Sequence, residues 1–453
     1  MSSKLALRLA LAGLIAGVVP ACGNINDGHP AVPFTILASV STAGTLANQN
    51  CIEPSISGNG RFVVFTSTAT NLDQPGPNNV QQVYRRDLTT GVTVMVSVDP
   101  TLTPGDDSSS HAVISSDGRY VAFESFATNL LSTPQFVPHV YVRDMTAPAA
   151  TATVLVSQND IGDPGDDYSF RPSISEDGRF IAFASLATNF GDTHVSGLFK
   201  IYRRDMSGTE VIPISVVSGG GDPSAGPQTT DGSVSPSISA DGSVIAFASD
   251  CIDIVAGDSN NKFDVFVATV DLGGAITTVQ ASPKFGGGWA NGDSVEPSLS
   301  GDGKFLAFTS NAVNLIAVDS NTSVKDVFLY SVASGTVELI SVNSQGVQAE
   351  NGADSSNPSL SFDGSFVAFQ SVASNLVPGD TNVTNDVFIR DRTLGTTIRV
   401  SVDTSGNQSG IGQPSIAPSL SPDGKAVAFA TSASFDKGDS NGLRDVYVRA
   451  PLR

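Results

Sequence analysis

Past residue 33 the chain runs in short stretches where apolar and polar residues alternate, as in Phe366-Val367-Ala368-Phe369 and Asp386-Val387-Phe388-Ile389-Arg390. A period of two is that of β-strands with one buried face, and no stretch shows the spacing of an amphipathic helix. The stretches are themselves periodic. A segment reading Pro-Ser-Ile/Leu-Ser, then two residues before Gly with Asp or Asn second, then an apolar run ending in most copies Ala-Phe, starts at Pro54, Ala112, Pro172, Pro236, Pro297, Pro358 and Pro418. The spacings are 58, 60, 64, 61, 61 and 60 residues, and the second copy is degenerate, reading Ala112-Val113-Ile114-Ser115.

Each repeat divides into four expected strands, A to D. Strand A is the short Pro-Ser-Ile-Ser type, with proline at its start, where a missing N–H is tolerated. The turn after it (Asn59-Gly60, Asp117-Gly118, Asp177-Gly178 and their equivalents) supplies the positive φ of a tight hairpin. Strand B is the Ala-Phe run, strand C the Asp-Val-Phe-Ile-Arg type, and strand D a Thr/Val-rich run such as Thr397–Val402. Seven such units without helices predict an all-β, seven-bladed β-propeller over residues 34–453. The seventh repeat stops at Arg453 without a strand D, while Phe34–Ser41 reads like one, so the N-terminal strand is expected to complete the last blade. Such closure leaves no blade short of a strand, which an open β-solenoid or two stacked sandwiches would not explain.

The repeat itself, Ser-x-Asp-Gly-(Arg/Lys) followed by an apolar run and Ala-Phe, resembles the WD-like propeller repeats of TolB and its relatives. The resemblance covers residues 34–453 and implies the propeller fold; it implies little about function, because such propellers serve many roles. The repeats are longer than in TolB and the N-terminal α/β domain of that family is not evident, so a role in the Tol system does not carry over.

The first 33 residues differ in kind. Lys4 and Arg8 precede an apolar run, Leu9 to Val19, too short for a permanent membrane anchor. Val19-Pro20-Ala21-Cys22 resembles the lipobox of bacterial lipoproteins, which implies cleavage and lipidation at Cys22; the alternative is an ordinary signal peptide with Cys22 incidental. Residues 1–22 thus read as a signal peptide and 23–33 as a linker. Either version takes the protein out of the cytoplasm, to the periplasm or outer surface, with membrane contact through a lipid anchor alone. Export permits a disulfide, but Cys51 and Cys251 lie in blades three apart and are expected to be free and packed.

Charge sharpens this picture. A formal net charge of −20 repels phosphate backbones and argues against nucleic acid as a partner. Of the 44 acids 37 are Asp, placed at turns, at strand C starts and in loops. The A–B and C–D turns share one face and are short, whereas the variable D–A and B–C loops share the other. Loops on a rigid scaffold usually carry binding, so a protein or glycan of the cell envelope is the expected partner there. The D–A loops carry Asp106, Asp107, Asp166, Asp167, Asp293 and Asp354, which would form an acidic rim or serve turns and solubility. Four B–C loops read Asp258/Asn260/Asp264, Asp319/Asn321/Asp326, Asp380/Asn382/Asp386 and Asp439/Asn441/Asp445. Alternating Asp and Asn suit Ca²⁺, with Asx-turns and capping of loop N–H groups as the alternative and no required cofactor expected. His29, His111, His139 and His194 form no ligand spacing, and the innermost strands offer Ser rather than acids, so no catalytic constellation is expected. The function read from sequence is a non-catalytic binding module of the envelope; the alternative is a metal-dependent hydrolase or lyase at the channel mouth.

Overall fold

The computed structural model describes residues 33–452 apart from 75–78, 192–196, 218–219, 225–230, 322–323 and 351. The signal segment with Cys22, and Asp192, His29 and His194, lie outside the described residues. Seven four-stranded antiparallel sheets form the blades of one ring. In blade 1 the strands are Cys51–Ile56, Phe62–Ser67, Gln82–Asp87 and Val92–Met95, innermost first. The innermost strands of blades 2 to 7 are Ser109–Ile114, Ser169–Ile174, Ser233–Ile238, Ser294–Leu299, Ser355–Leu360 and Ser415–Leu420. Blade 7 takes its outer strand, Phe34–Leu37, from the N-terminal end of the chain; Phe34 pairs with Ala450 and Leu37 with Tyr447.

The alternation has a direct physical outcome. Strands B and C lie between neighbouring blades, so strand B is buried along almost its whole length, while the outer strand D is more open and in blades 4 and 5 alternates between half-buried and exposed residues. In every blade the phenylalanine of strand B stacks on an aromatic residue directly opposite on strand C, from Phe65–Tyr84 to Phe429–Tyr447, with centroids 5.6–6.4 Å apart. Each such pair contributes about 0.5–1.5 kcal/mol beyond its buried area. The core is accordingly seven apolar clusters, each spanning a seam between blades. Cys51 and Cys251 are free and buried in two of them, as expected, and burial pushes their thiols up to about 12 and about 11.

The A–B turn explains why Ser-x-Asp-Gly recurs. The serine hydroxyl donates to the Asp or Asn side-chain oxygen and accepts the first N–H of strand B, as Ser175 does with Asp177 and Phe180. The same Asp oxygen accepts the N–H two residues on, here that of Arg179. All seven turns repeat the serine-to-Asp/Asn bond.

Four details depart from the sequence expectation. Strand A begins three residues before its proline, and the residue just ahead of the proline position is a bulge with positive φ: Glu53, His111, Arg171, Ser235, Glu296, Asn357 and Ala417. Proline is tolerated in mid-strand because the ladder shifts register at that residue. A short helix, Ala149–Ala152, interrupts the C–D connection of blade 2. His139, which the sequence places in a B–C connection, is instead the first residue of a strand C; it is buried against the Ser157 hydroxyl, and burial lowers it to about 4. Finally, the D–A and B–C connections are nearly constant in length, apart from the longer one between Pro213 and Ser233, because they do structural work in each blade. The D–A hairpin covers the outer edge of the next blade: Thr93, Val211, Thr397 and Thr35 of the outer strands donate their N–H groups to Thr42, Asp160, Ser344 and Thr404. A free sheet edge invites association with other chains, and these bonds occupy it.

Candidate functional site

The innermost strands run from the long-loop face towards the A–B turns, and their residues change character on the way. Each ends in an aliphatic side chain (Ile56, Ile114, Ile174, Ile238, Leu299, Leu360 and Leu420). Six of these line an axial cavity of about 140 Å³ at the A–B end. One position earlier, Ser173, Ser237, Ser298, Ser359 and Ser419 each accept an N–H from the next blade at 2.9–3.2 Å. These serines tie seams together, as their regular recurrence suggests.

The bulge residues form the next ring, nearer the long-loop face, and six of the seven are polar. From blade 1 to blade 4 they touch in sequence. Glu53 accepts the His111 N–H at 3.1 Å, and one oxygen lies 3.7 Å from His111 Nε2. His111 Nδ1 is 2.9 Å from Glu124, on strand B of the same blade. The other Glu124 oxygen accepts the N–H of Arg171 at 2.8 Å, and the Arg171 guanidinium reaches the Ser235 hydroxyl at 2.6 Å. On the far side Glu296 accepts the Asn357 N–H and Gln370 that of Ala417. A bulge amide is thus capped wherever the preceding blade offers a Glu or Gln. The amides of Glu53, Ser235 and Glu296 follow blades that offer only Ala, Arg or Ser at those positions, and no side-chain acceptor reaches them among the described residues.

The electrostatics follow from this geometry. Burial opposes charge on His111, but the bond to Glu124 and the charges of Glu124 and Glu53 outweigh it and raise the imidazole above its ordinary value. Burial likewise opposes ionisation of Glu124, yet His111, the Arg171 N–H and the Ser110 hydroxyl hold it below the usual range. The mouth therefore carries a carboxylate–imidazole–carboxylate run beside an arginine, with the imidazole biased towards its charged form. Exposed aromatics stand on the same face of blades 2 and 3: Phe126, Phe136 and Tyr168. The sequence reading saw serines on the inner strands and missed these groups; the signal was the polar residue just ahead of the proline position in six of the seven repeats.

The residues singled out from sequence take other places. Asp106 and Asp166 accept both the N–H and the hydroxyl of Thr128 and Thr188, stapling a D–A loop to a B–C loop. Asp293 and Asp354 accept the Phe263 and Lys325 N–H groups across a blade seam. Asp107 and Asp167 bond the next N–H; Asp107 remains exposed and Asp167 is half-buried. In the B–C loops the strand C carboxylates Asp264, Asp326, Asp386 and Asp445 are fully buried. Each accepts the hydroxyl of a serine two residues past strand D at 2.6 Å and an amide N–H of Asn260, Asn321, Asn382 or Asn441. Burial pushes Asp264 to about 7 and Asp326 to about 6. Among the described residues no three His, Cys, Asp or Glu side chains converge as a metal centre would require.

No family model matches the chain, and no curated protein does. Among solved structures it is similar to the β-propeller domain of the Trilobed protease from Pyrococcus furiosus, at 11% identity over 90% of this chain and 97% of that one, with a TM-score of 0.51. It is also similar to an oligogalacturonate lyase in complex with manganese, at 12% identity over 89% and 90% of the two chains, TM-score 0.50. A TolB from Agrobacterium tumefaciens matches 64% of this chain and 80% of its own at 16% identity, TM-score 0.38. The protease domain is described as having an open velcro topology, whereas the ring here is closed by its N-terminal strand. At these identities the likeness is one of fold. The chain is a seven-bladed β-propeller, an architecture it shares with a protease domain and a lyase.

Proposed function

We propose that the protein is an exported, lipid-anchored binding module of the cell envelope, whose ligand seats at the channel mouth on the long-loop face. The observation that carries this reading is the run Glu53–His111–Glu124–Arg171, whose His111 and Arg171 are exposed on that face, together with Phe126 and Tyr168 of the same face, each about half exposed. Exposed aromatic rings beside a ring of polar donors and acceptors fit the alternating apolar faces and hydroxyls of a glycan. Hydrogen-bond partners there are diverse rather than uniformly acidic: Ser110, Ser235, Asn357 and Gln370 join the charged groups. A protein loop inserted in the mouth is the competing ligand. Export rests on residues 1–22 and anchoring on Cys22.

A second reading, a hydrolase or lyase at the mouth, is favoured by one observation: a carboxylate orients His111 while its other nitrogen faces Glu53, an arrangement suited to proton transfer. The metal-dependent form of that reading lacks a protein-built centre among the described residues. Both readings meet in one experiment. Envelope glycans and solubilised envelope proteins are offered to the immobilised wild type and to Phe126→Ala/Tyr168→Ala, with glycan products followed by mass spectrometry. Retention of a glycan by the wild type, lost at least tenfold in the variant and without turnover, supports the binding reading. Turnover abolished by His111→Asn supports the enzyme. Equal capture by wild type and double variant ends the channel-mouth proposal.

A further inference from the structure

The four Asp-x-Asn loops share one framework, yet what faces their carboxylates differs, and the differences form a series. In blade 6 the Arg399 guanidinium bridges the pair, 3.1 Å from Asp380 and 3.2 Å from Asp386. In blade 5 the Gln348 amide nitrogen lies 2.9 Å from Asp319 and 3.1 Å from Asp326. Both blades therefore place a protein donor between the two acids. Blade 7 does not. The strand position of Arg399, opposite Phe388, is held there by Leu37, opposite Tyr447; the loop position of Gln348, bridged to Val342, is held by Leu46, bridged to Val40.

The carboxylates of blade 7 nonetheless remain. Asp445 is fully buried; Asp439 is 8% exposed. One oxygen of Asp439 accepts the Tyr447 hydroxyl at 2.6 Å, and the other, Oδ1, is buried and has no partner among the described residues. Two acids with no cation between them are costly to bury. We propose that blade 7 binds a hard divalent cation of the Ca²⁺ class between Asp439 and Asp445, in the place that the Arg399 guanidinium takes in blade 6. Two carboxylates are the charged ligands, and carbonyl and water oxygens complete the six to eight that Ca²⁺ takes. The cation would sit where the two ends of the chain meet: Asp445 also accepts the Ser39 hydroxyl, and the neighbouring Asn441 amide donates to the Ala47 carbonyl.

The test uses the mature full-length chain, stripped with chelator and titrated with CaCl₂ by calorimetry and thermal melting. The wild type should bind Ca²⁺ and melt a few degrees higher at about a hundredfold excess over the dissociation constant. Asp439→Asn should lose one bound equivalent and the shift. Leu37→Arg keeps both acids and supplies the guanidinium of blade 6; it should lose the same equivalent yet melt no lower than the calcium-free wild type, which separates loss of the site from loss of fold. Absence of calcium binding in the wild type, or an unchanged count of bound ions in both variants, overturns the proposal.

Discussion

At the scale of single residues, the sharpest consequences lie in His111 and Glu124. The folded pKa of His111 is raised, so its contribution to stability is complete below its unfolded value near 6.5 and fades as pH climbs through the raised one. The folded pKa of Glu124 is lowered, so its contribution is complete above the ordinary glutamate value, about 4.3, and fades as pH falls through the lowered one. The pair therefore supports the fold most between roughly pH 4.5 and 6.5. Glu124→Gln tests this cleanly, because Gln370 shows that a glutamine in that place still caps the next blade's bulge amide. In that variant the His111 titration followed by NMR should move down towards 6.5, and the stability deficit against wild type should be largest inside that window and narrow on both sides. A deficit that is flat with pH would show that the ion pair contributes nothing. The A–B turn offers a second residue-scale prediction. Asp363→Ala leaves the Ser361 hydroxyl and both Ser365 donors without their acceptor. The expected loss is about 1–2 kcal/mol, read from the urea midpoint at unchanged slope.

Among the elements, the A–B hairpin and the bulged inner strand show why some structure was legible beforehand and some was not. Asp177-Gly178 could be read as a tight turn because only glycine combines positive φ with the crowding there: φ is +76°, and an added Cβ would come within 2.3 Å of the Tyr120 ring. Gly178→Ala should cost about 2–4 kcal/mol, whereas Gly162→Ala, at φ +93° but in open space, should cost about 1 kcal/mol. Thermal melts of the two variants side by side check the contrast. The bulge was not legible, because a period-two pattern assigns each side chain a face on the assumption of an unbroken ladder. One inserted residue breaks that assumption and carries Glu53, His111 and Arg171 into the ring around the axis. The same limit applies to the loops: the sequence left Asp106 and Asp166 between an acidic rim and a turn role, and only the folded chain shows the threonines they hold. In the B–C loops, Asp, Asn and Asp could be placed at the start of strand C from sequence. The differing partners Arg399, Gln348, Leu37 and Leu46 could not, since they arrive from other strands and loops.

For the whole molecule, blade number and ring closure were readable from repeat spacing and from the missing last strand, because both are matters of counting. Closure can be probed by deleting residues 33–41. The strand Asp445–Ala450 would then become an open edge, so the melting midpoint should fall by roughly 5 °C or more and the variant should self-associate on size exclusion. A monomer that melts like wild type would show that the ring holds without its latch. Closure also sets an order of events in time. Phe34, among the first residues of the ring to leave the ribosome, is the partner of Ala450, among the last. Six blades can assemble from neighbours in sequence as they emerge, but the seventh has to wait for nearly the whole polypeptide to be made. Its pairing carries the largest loop-closure cost in the molecule. A chain cut short by its last ten residues would therefore forfeit strand C of that blade and strand its first-made strand as well.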